Sequence, residues 1–340
     1  MEDTKGNGLT GLANVGNSCY LNSVLQVLSH TEKLTQLLES DSLHQRIKKN
    51  LGALLIQEWN KLREMMWSED CTIAPWGFVK AVQRVCQQKK NSEFSSFGQC
   101  DVSEFWQFLI DNFHDGLSRP VEMTVKGKPK NSRDILAAKC YAMMKSMYEK
   151  EYSEIIQLFT GISVSRISSV DGKTLSVSPE PFSSIQLPIV FIKGNCEINM
   201  IDCLKEYCKK ERLEKENAYY YEKEKKLISA DRDFVFWSLP DILIIHLKRF
   251  SNSISKLGQM VRFPVDDLDM TPYVVGYKKT QYKYQLYGIC NHSGSVYGGH
   301  YHADVRTNKG WYNFNDTNLK ESVNISGTSG SAYTLFYRKK

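Results

Sequence analysis

Apolar residues recur along this chain at two different periods, and the change from one to the other divides it. Leu21, Val24, Leu25 and Leu28 fall at i, i+3, i+4 and i+7, the stripe of a helix packed on a core. Leu51, Leu54, Leu55, Trp59, Leu62 and Met66 keep that spacing, as do Phe78, Val79, Val82 and Val85 after the Ala74-Pro75 break, and then Phe105, Phe108, Leu109 and Phe113. Residues 8–117 are therefore expected to be mainly helical. Residues 118–132, with Pro120, Gly127, Pro129 and Asn131, read as a polar connection and a subdomain boundary before one more helix over about 133–152. Beyond Phe159 the runs shorten and alternate, as in Ile162-Ser163-Val164-Ser165 and Ser184-Ile185-Gln186-Leu187, the period of strands. Residues 202–213 interrupt them with a helical pattern. The charge-rich 214–226, with Tyr219, Tyr220 and Tyr221 at its middle, predicts a solvated projection. Further strands are expected at 234–237, 242–247, 284–290, 301–305, 311–314 and 332–337. Helices first and strands second predict an α+β protein whose cleft lies between two unlike halves.

Composition narrows the function classes. With 340 residues and 41% hydrophobic content the chain can bury a sizeable core, as one large domain or two ordinary ones. The net charge of +6 is mild and no block of like charges appears, which gives no footprint for nucleic acid. No apolar run approaches the roughly 18 residues of a membrane span, and the leader Met1 to Asn7 lacks the apolar region of a signal peptide. A cytoplasmic or nuclear protein is the expectation. Nine scattered cysteines do not form a disulfide framework, so most are expected to be reduced and buried.

One cysteine is differently placed. Cys19 follows Gly11-Leu12-Ala13-Asn14-Val15-Gly16-Asn17-Ser18, so that with Asn17 or Ser18 as N-cap it enters the first turn of a helix, where free N–H groups and the dipole favour a thiolate. Asn14, upstream, is a candidate donor to an oxyanion. A thiol nucleophile needs a base and the base an orienter. His300, preceded by Gly298 and Gly299, is the candidate base, and Asn315 and Asp316 are candidates to hold its ring through the Nδ1 hydrogen. The alternatives stay open at this point: a buried structural cysteine, a hydrogen-bonded structural histidine, and Asp101 with Glu104 serving only as the cap and capping box of a helix.

These blocks resemble the ubiquitin-specific proteases. Gly11 to Ser23 with Gln26 and Leu28 is similar to the family's cysteine box, and Gly98-Gln99-Cys100-Asp101-Val102-Ser103-Glu104-Phe105 to its glutamine/aspartate box. Leu239 to Phe250 resembles its LPxxLxxHLKRF strand. Tyr284 to Gly294, Gly298-Gly299-His300-Tyr301, Trp311 to Asp316 and Ala332 to Tyr337 resemble the histidine box and its surroundings. The resemblance implies a papain-like cysteine protease fold with a helical thumb (about 8–117), β-rich palm (about 233–340) and short β fingers (about 155–232), in a single catalytic domain without appended domains. It implies Cys19 as nucleophile, His300 as base, Asn315 as third member and Asn14 as oxyanion donor, with Asp316 supporting the oxyanion or taking over part of the polarising role. Asp101 and Glu104 would pair with ubiquitin's basic tail, while Gly298, Gly299 and Tyr301 would line the channel for its terminal Gly-Gly. His246, His292 and His302 would have no catalytic role. The implied activity is thiol-dependent hydrolysis after ubiquitin's last glycine, with ubiquitin and ubiquitinated proteins as partners, no cofactor, no nucleic acid or membrane, and a monomer. Another ubiquitin-like modifier as substrate, or ubiquitin binding without cleavage, are the alternatives. One departure stands out: where family members often carry CxxC pairs for structural zinc, this chain has Ser165-Arg166-Ile167-Ser168 and Tyr220-Tyr221-Glu222-Lys223, so metal-free fingers are expected.

Overall fold

Helix starts in this chain are set by short polar side chains. In the computed structural model, which describes residues 6–40, 43, 45–90, 92–191, 197–250, 255–277, 281–295, 297–322 and 325–340, the helices are α1 (Cys19–Ser29), α2 (Glu32–Leu38), α3 (Leu51–Ser68), α4 (Trp76–Gln88), α5 (Val102–Leu117), α6 (Ser132–Tyr148), α7 (Glu154–Phe159) and α8 (Met200–Tyr207). Asn50, Asp101, Asn131, Ser153 and Asn199 each accept a backbone N–H from the first turn that follows, satisfying donors the helix cannot. Two expected helices end early. Tyr152 leaves the predicted 133–152 helix to exchange backbone hydrogen bonds with Arg119 (2.9 and 2.7 Å). The predicted helix over 202–213 stops at Tyr207, and Glu211–Leu213 is recruited as a sheet edge. In both places a long-range backbone partner overrides local pattern.

The strands are β1 (Gly11–Leu12), β2 (Thr72–Ile73), β3 (Gly161–Ser169), β4 (Thr174–Phe182), β5 (Ile185–Pro188), β6 (Ile198–Asn199), β7 (Glu211–Leu213), β8 (Tyr219–Tyr221), β9 (Lys226–Ile228), β10 (Ala230–Ser238), β11 (Ile242–Lys248), β12 (Val261–Arg262), β13 (Leu268–Asp269), β14 (Lys283–Ser295), β15 (Gly298–Thr307), β16 (Gly310–Asn315), β17 (Asn318–Ser322), β18 (Thr328–Ser329) and β19 (Ala332–Lys339). The largest sheet runs β17-β16-β15-β14-β19-β11-β5, antiparallel except where β5 joins β11. A second sheet, β4-β3-β10-β7, projects the segments that lack cysteine pairs, with the β8–β9 hairpin beside it in sequence.

The large sheet is buried on both faces. Along β11, Ile242 and Ile244 face the helical core while Leu243, Ile245 and Leu247 face a second core shared with α8. β14 keeps this two-faced pattern only through a bulge between Leu286 and Gly288, which leaves Tyr287 and Cys290 on the helical side and Leu286 and Ile289 on the other. Every residue of α1 is buried, because the helix is packed against β14, β15 and α5 at once. α3 and α5 touch backbone to backbone: a Cβ on Gly52 would stand 2.2 Å from the Asn112 carbonyl oxygen. Among the described residues no helix is long and apolar enough to cross a membrane.

Candidate active site

The loop ahead of α1 is closed on itself and on the end of β16. Asn14 Oδ1 accepts the Ser18 N–H (3.0 Å), Ser18 Oγ accepts the Val15 N–H (2.9 Å), and Asn17, at φ 54°, donates its amide to the Phe97 carbonyl (2.8 Å). Ser18 stands at the N-cap position, but its hydroxyl serves the loop and does not cap the helix as expected. Asp316 closes the other side. Its carboxylate accepts Asn14 Nδ2 (3.0 Å) and Asn22 Nδ2 (2.8 Å), and its carbonyl accepts the Leu12 N–H (3.0 Å).

Cys19 is the first residue of α1 and 5% exposed. Burial pushes its thiol above the ordinary value and the nearby Asp316 charge adds to this; bonds from the N–H groups of Tyr301, Tyr20 and Cys19 itself pull the other way and lose. The dipole that was expected to favour a thiolate is outweighed by desolvation. Burial therefore disfavours the thiolate form of Cys19.

His300 is one residue from Tyr301, which faces the same cleft as Cys19. Asn315 Oδ1 lies 2.6 Å from its Nε2. The orienting contact is thus through Nε2, not Nδ1 as the sequence suggested. Asn315 and Asp316, adjacent in the chain, divide their work: the first holds the imidazole and the second the loop of the cysteine.

A cleft of about 340 Å³ runs up to the thiol, lined by Cys19, Gln99, Asp101, Phe250, Gly298, Gly299 and Tyr301 among others. Asp101 caps α5 through Ser103 N (2.6 Å) and accepts the Tyr333 hydroxyl across the cleft. Glu104 does not complete a capping box. Its carboxyl bonds to that of Glu93, and this contact, with burial and the charges of Glu93 and Asp101, raises it to about 7. A Cβ on Gly299 would stand 2.2 Å from His292 Nε2, so no side chain fits there. The His292 ring packs 4.6 Å from Tyr301, and burial holds its pKa down to about 4. His246 is 2% exposed, bonded at Nδ1 to Thr334 (2.8 Å), and far from titrating at about 4. Two contributors escaped the sequence reading. Asn22 is a polar residue on a helix with no exposed face, which is the signal that marks it; Gln99 is marked only by its place in the glutamine/aspartate box.

Helical and sheet halves meeting across a groove, with a thiol at a helix start and an imidazole steadied by an amide, define the class: a papain-like α+β thiol-peptidase fold. The ubiquitin carboxyl-terminal hydrolase family matches residues 10–337, and the chain belongs to that family. It is 33% identical to human ubiquitin carboxyl-terminal hydrolase 2 over 99% of this chain, and 31% identical to ubiquitin carboxyl-terminal hydrolase 4 of Saccharomyces cerevisiae (strain YJM789) over 97%. The chain spans about half the length of such relatives, 56% of the human protein and 39% of the yeast one. Among solved structures, the SAGA Ubp8/Sgf11/Sus1/Sgf73 DUB module bound to ubiquitin aldehyde shares the fold with a TM-score of 0.73 at 24% identity, over 98% of this chain and 70% of that one.

Proposed function

We propose that this protein is a thiol-dependent deubiquitinase that cleaves the peptide or isopeptide bond after ubiquitin's terminal glycine. The observation that carries the reading is a thiol at the first residue of α1 facing the same cleft as Tyr301, whose chain neighbour His300 is anchored through Nε2. His300 Nδ1 takes the thiol proton as substrate enters, and the thiolate attacks the glycine carbonyl. The Cys19 N–H and the second hydrogen of Asn14 Nδ2, whose first is committed to Asp316, stabilise the oxyanion. His300 then protonates the departing amine, and water releases the acyl-enzyme. Gly298 and Gly299 admit only a tail without side chains. Asp101 and Glu104 receive its basic residues. The partners in this reading are ubiquitin and ubiquitinated proteins, the working form is a monomer, and the compartment is cytoplasmic or nuclear, supported by the free state of the described cysteines. The test is turnover of a ubiquitin C-terminal amide reporter: activity vanishes in Cys19→Ala, and equal rates for wild type and variant would remove the proposal.

A further inference from the structure

Three consecutive residues of β15 are held by three different parts of the molecule. Gly299 donates its N–H to Gln99 Oε1 (3.0 Å) and accepts Gln99 Nε2 at its carbonyl (3.2 Å). His300 is held at Nε2 by Asn315, and Tyr301 lies against the Cys19 end of α1 in the same cleft. Gly299 and Tyr301, two apart, turn their backbone groups to the same edge of the strand, away from β14. β16 covers that edge only from Ala303 onward. Before residue 303 the edge has no strand beside it among the described residues, and the amide of Gln99 makes the two bonds that a strand would make at Gly299.

The restraint answers a conflict within the sequence. Gly299 must be glycine, because a Cβ would collide with His292 Nε2 at 2.2 Å and with the Ser293 carbonyl at 2.5 Å. Two successive glycines, however, put the most pliable backbone in the chain immediately ahead of the base. Substitution cannot stiffen that backbone without closing the space, so the stiffness has to come from outside the strand. Gln99 reaches in from the helical half, 200 residues away in sequence. It is exposed, so its contact is not core packing.

We propose that Gln99 is a positioning residue: its side-chain amide clasps Gly299 from across the cleft and keeps His300 in register with Cys19. The inference rests on the assignment of Cys19 and His300 made above. With the clasp released, the Gly298-Gly299 backbone is free to swing, and Nδ1 spends less time where it can take the thiol proton.

The experiment compares wild type with Gln99→Met, which keeps length and removes the amide, and Gln99→Glu, which keeps an acceptor for the Gly299 N–H but has no donor for its carbonyl. Cys19 alkylation by iodoacetamide is followed against pH by mass spectrometry of the Cys19 peptide, without ubiquitin. The expected result is a midpoint moved to higher pH in Gln99→Met, with the rate at neutral pH lowered about fivefold or more, and a smaller move in Gln99→Glu. On the ubiquitin amide reporter, kcat falls about tenfold or more while KM stays within about twofold. Superimposable alkylation profiles at equal Tm would overturn the proposal, as would a rise in KM alone, which would mean that Gln99 touches the tail and not the base. A wild type that alkylates with a shifted profile yet never cleaves ubiquitin would remove the deubiquitinase reading and leave the alkylation comparison to decide this one.

Discussion

The two sides of the cleft are secured very differently. Cys19 opens a helix whose every residue is buried, and its loop is closed by Asn14, Ser18 and Asn22 through the carboxylate and carbonyl of Asp316. His300 rides on a strand edge that has no paired strand before Ala303 among the described residues and is tied by one amide at its ring and another at the residue before it. The proposed nucleophile is thus part of the core, while the proposed base hangs from a strand edge.

Substitutions on the two sides should therefore fail in different ways. The largest effect belongs to His300→Ala: reporter turnover falls by about 10²–10⁴-fold with Tm close to wild type, because the half-buried ring supports little packing. A large drop in Tm would show that the edge carries more of the fold than its contacts suggest. Asp316→Ala strikes the opposite side and should lower stability and kcat together. It removes the Asp316 acceptor from Asn14 Nδ2 and leaves Asn22 Nδ2 only its longer bonds to the Leu12 and Ala13 carbonyls (both 3.2 Å), at a cost of about 1 kcal/mol. Asn315→Ala, its immediate neighbour, should lower kcat about tenfold at nearly unchanged denaturation midpoint, so equal destabilisation by the two would erase the contrast. Gly52→Ala tests the helical core alone. Forcing a methyl against the Asn112 carbonyl should destabilise by about 1–3 kcal/mol in urea melts while leaving kcat intact at low temperature.

The smallest effect is a pH dependence. Glu104, raised to about 7 by its bond to Glu93, shares a proton whose stabilising contact is complete below the ordinary carboxyl range and is lost as pH rises through about 7. Negative charge appears on Glu104 over that same interval. KM for the ubiquitin reporter should therefore fall a few-fold between about pH 6 and 8, and Glu104→Gln should flatten the slope. A wild-type KM that does not move over that interval would detach Glu104 from tail binding.

Much of this is written in local pattern. The stripes of α1, α3, α4 and α5 follow 3.6-residue periodicity, Asp101 was readable as a cap, and the alternation of the second half marked its strands. Local pattern was misleading wherever a distant partner competed. The end of α6 was taken by Arg119, the end of α8 by the β10 edge, the Ser18 hydroxyl by Val15, and the Glu104 carboxyl by Glu93. In the sequence Gln99 is marked only as a member of the glutamine/aspartate box and is given no role, because its two bonds are made to a residue in the other half of the chain.

Periodicity, turn residues and the box motifs suffice to specify most of the elements and to nominate the side chains of the proposed chemistry, since both depend on neighbours a few positions apart. The ring nitrogen that Asn315 grips, the burial of the Cys19 thiol and the clasp on Gly299 were settled only by assembly. Each depends on the distance and desolvation between groups that the chain keeps hundreds of residues apart until the two halves close.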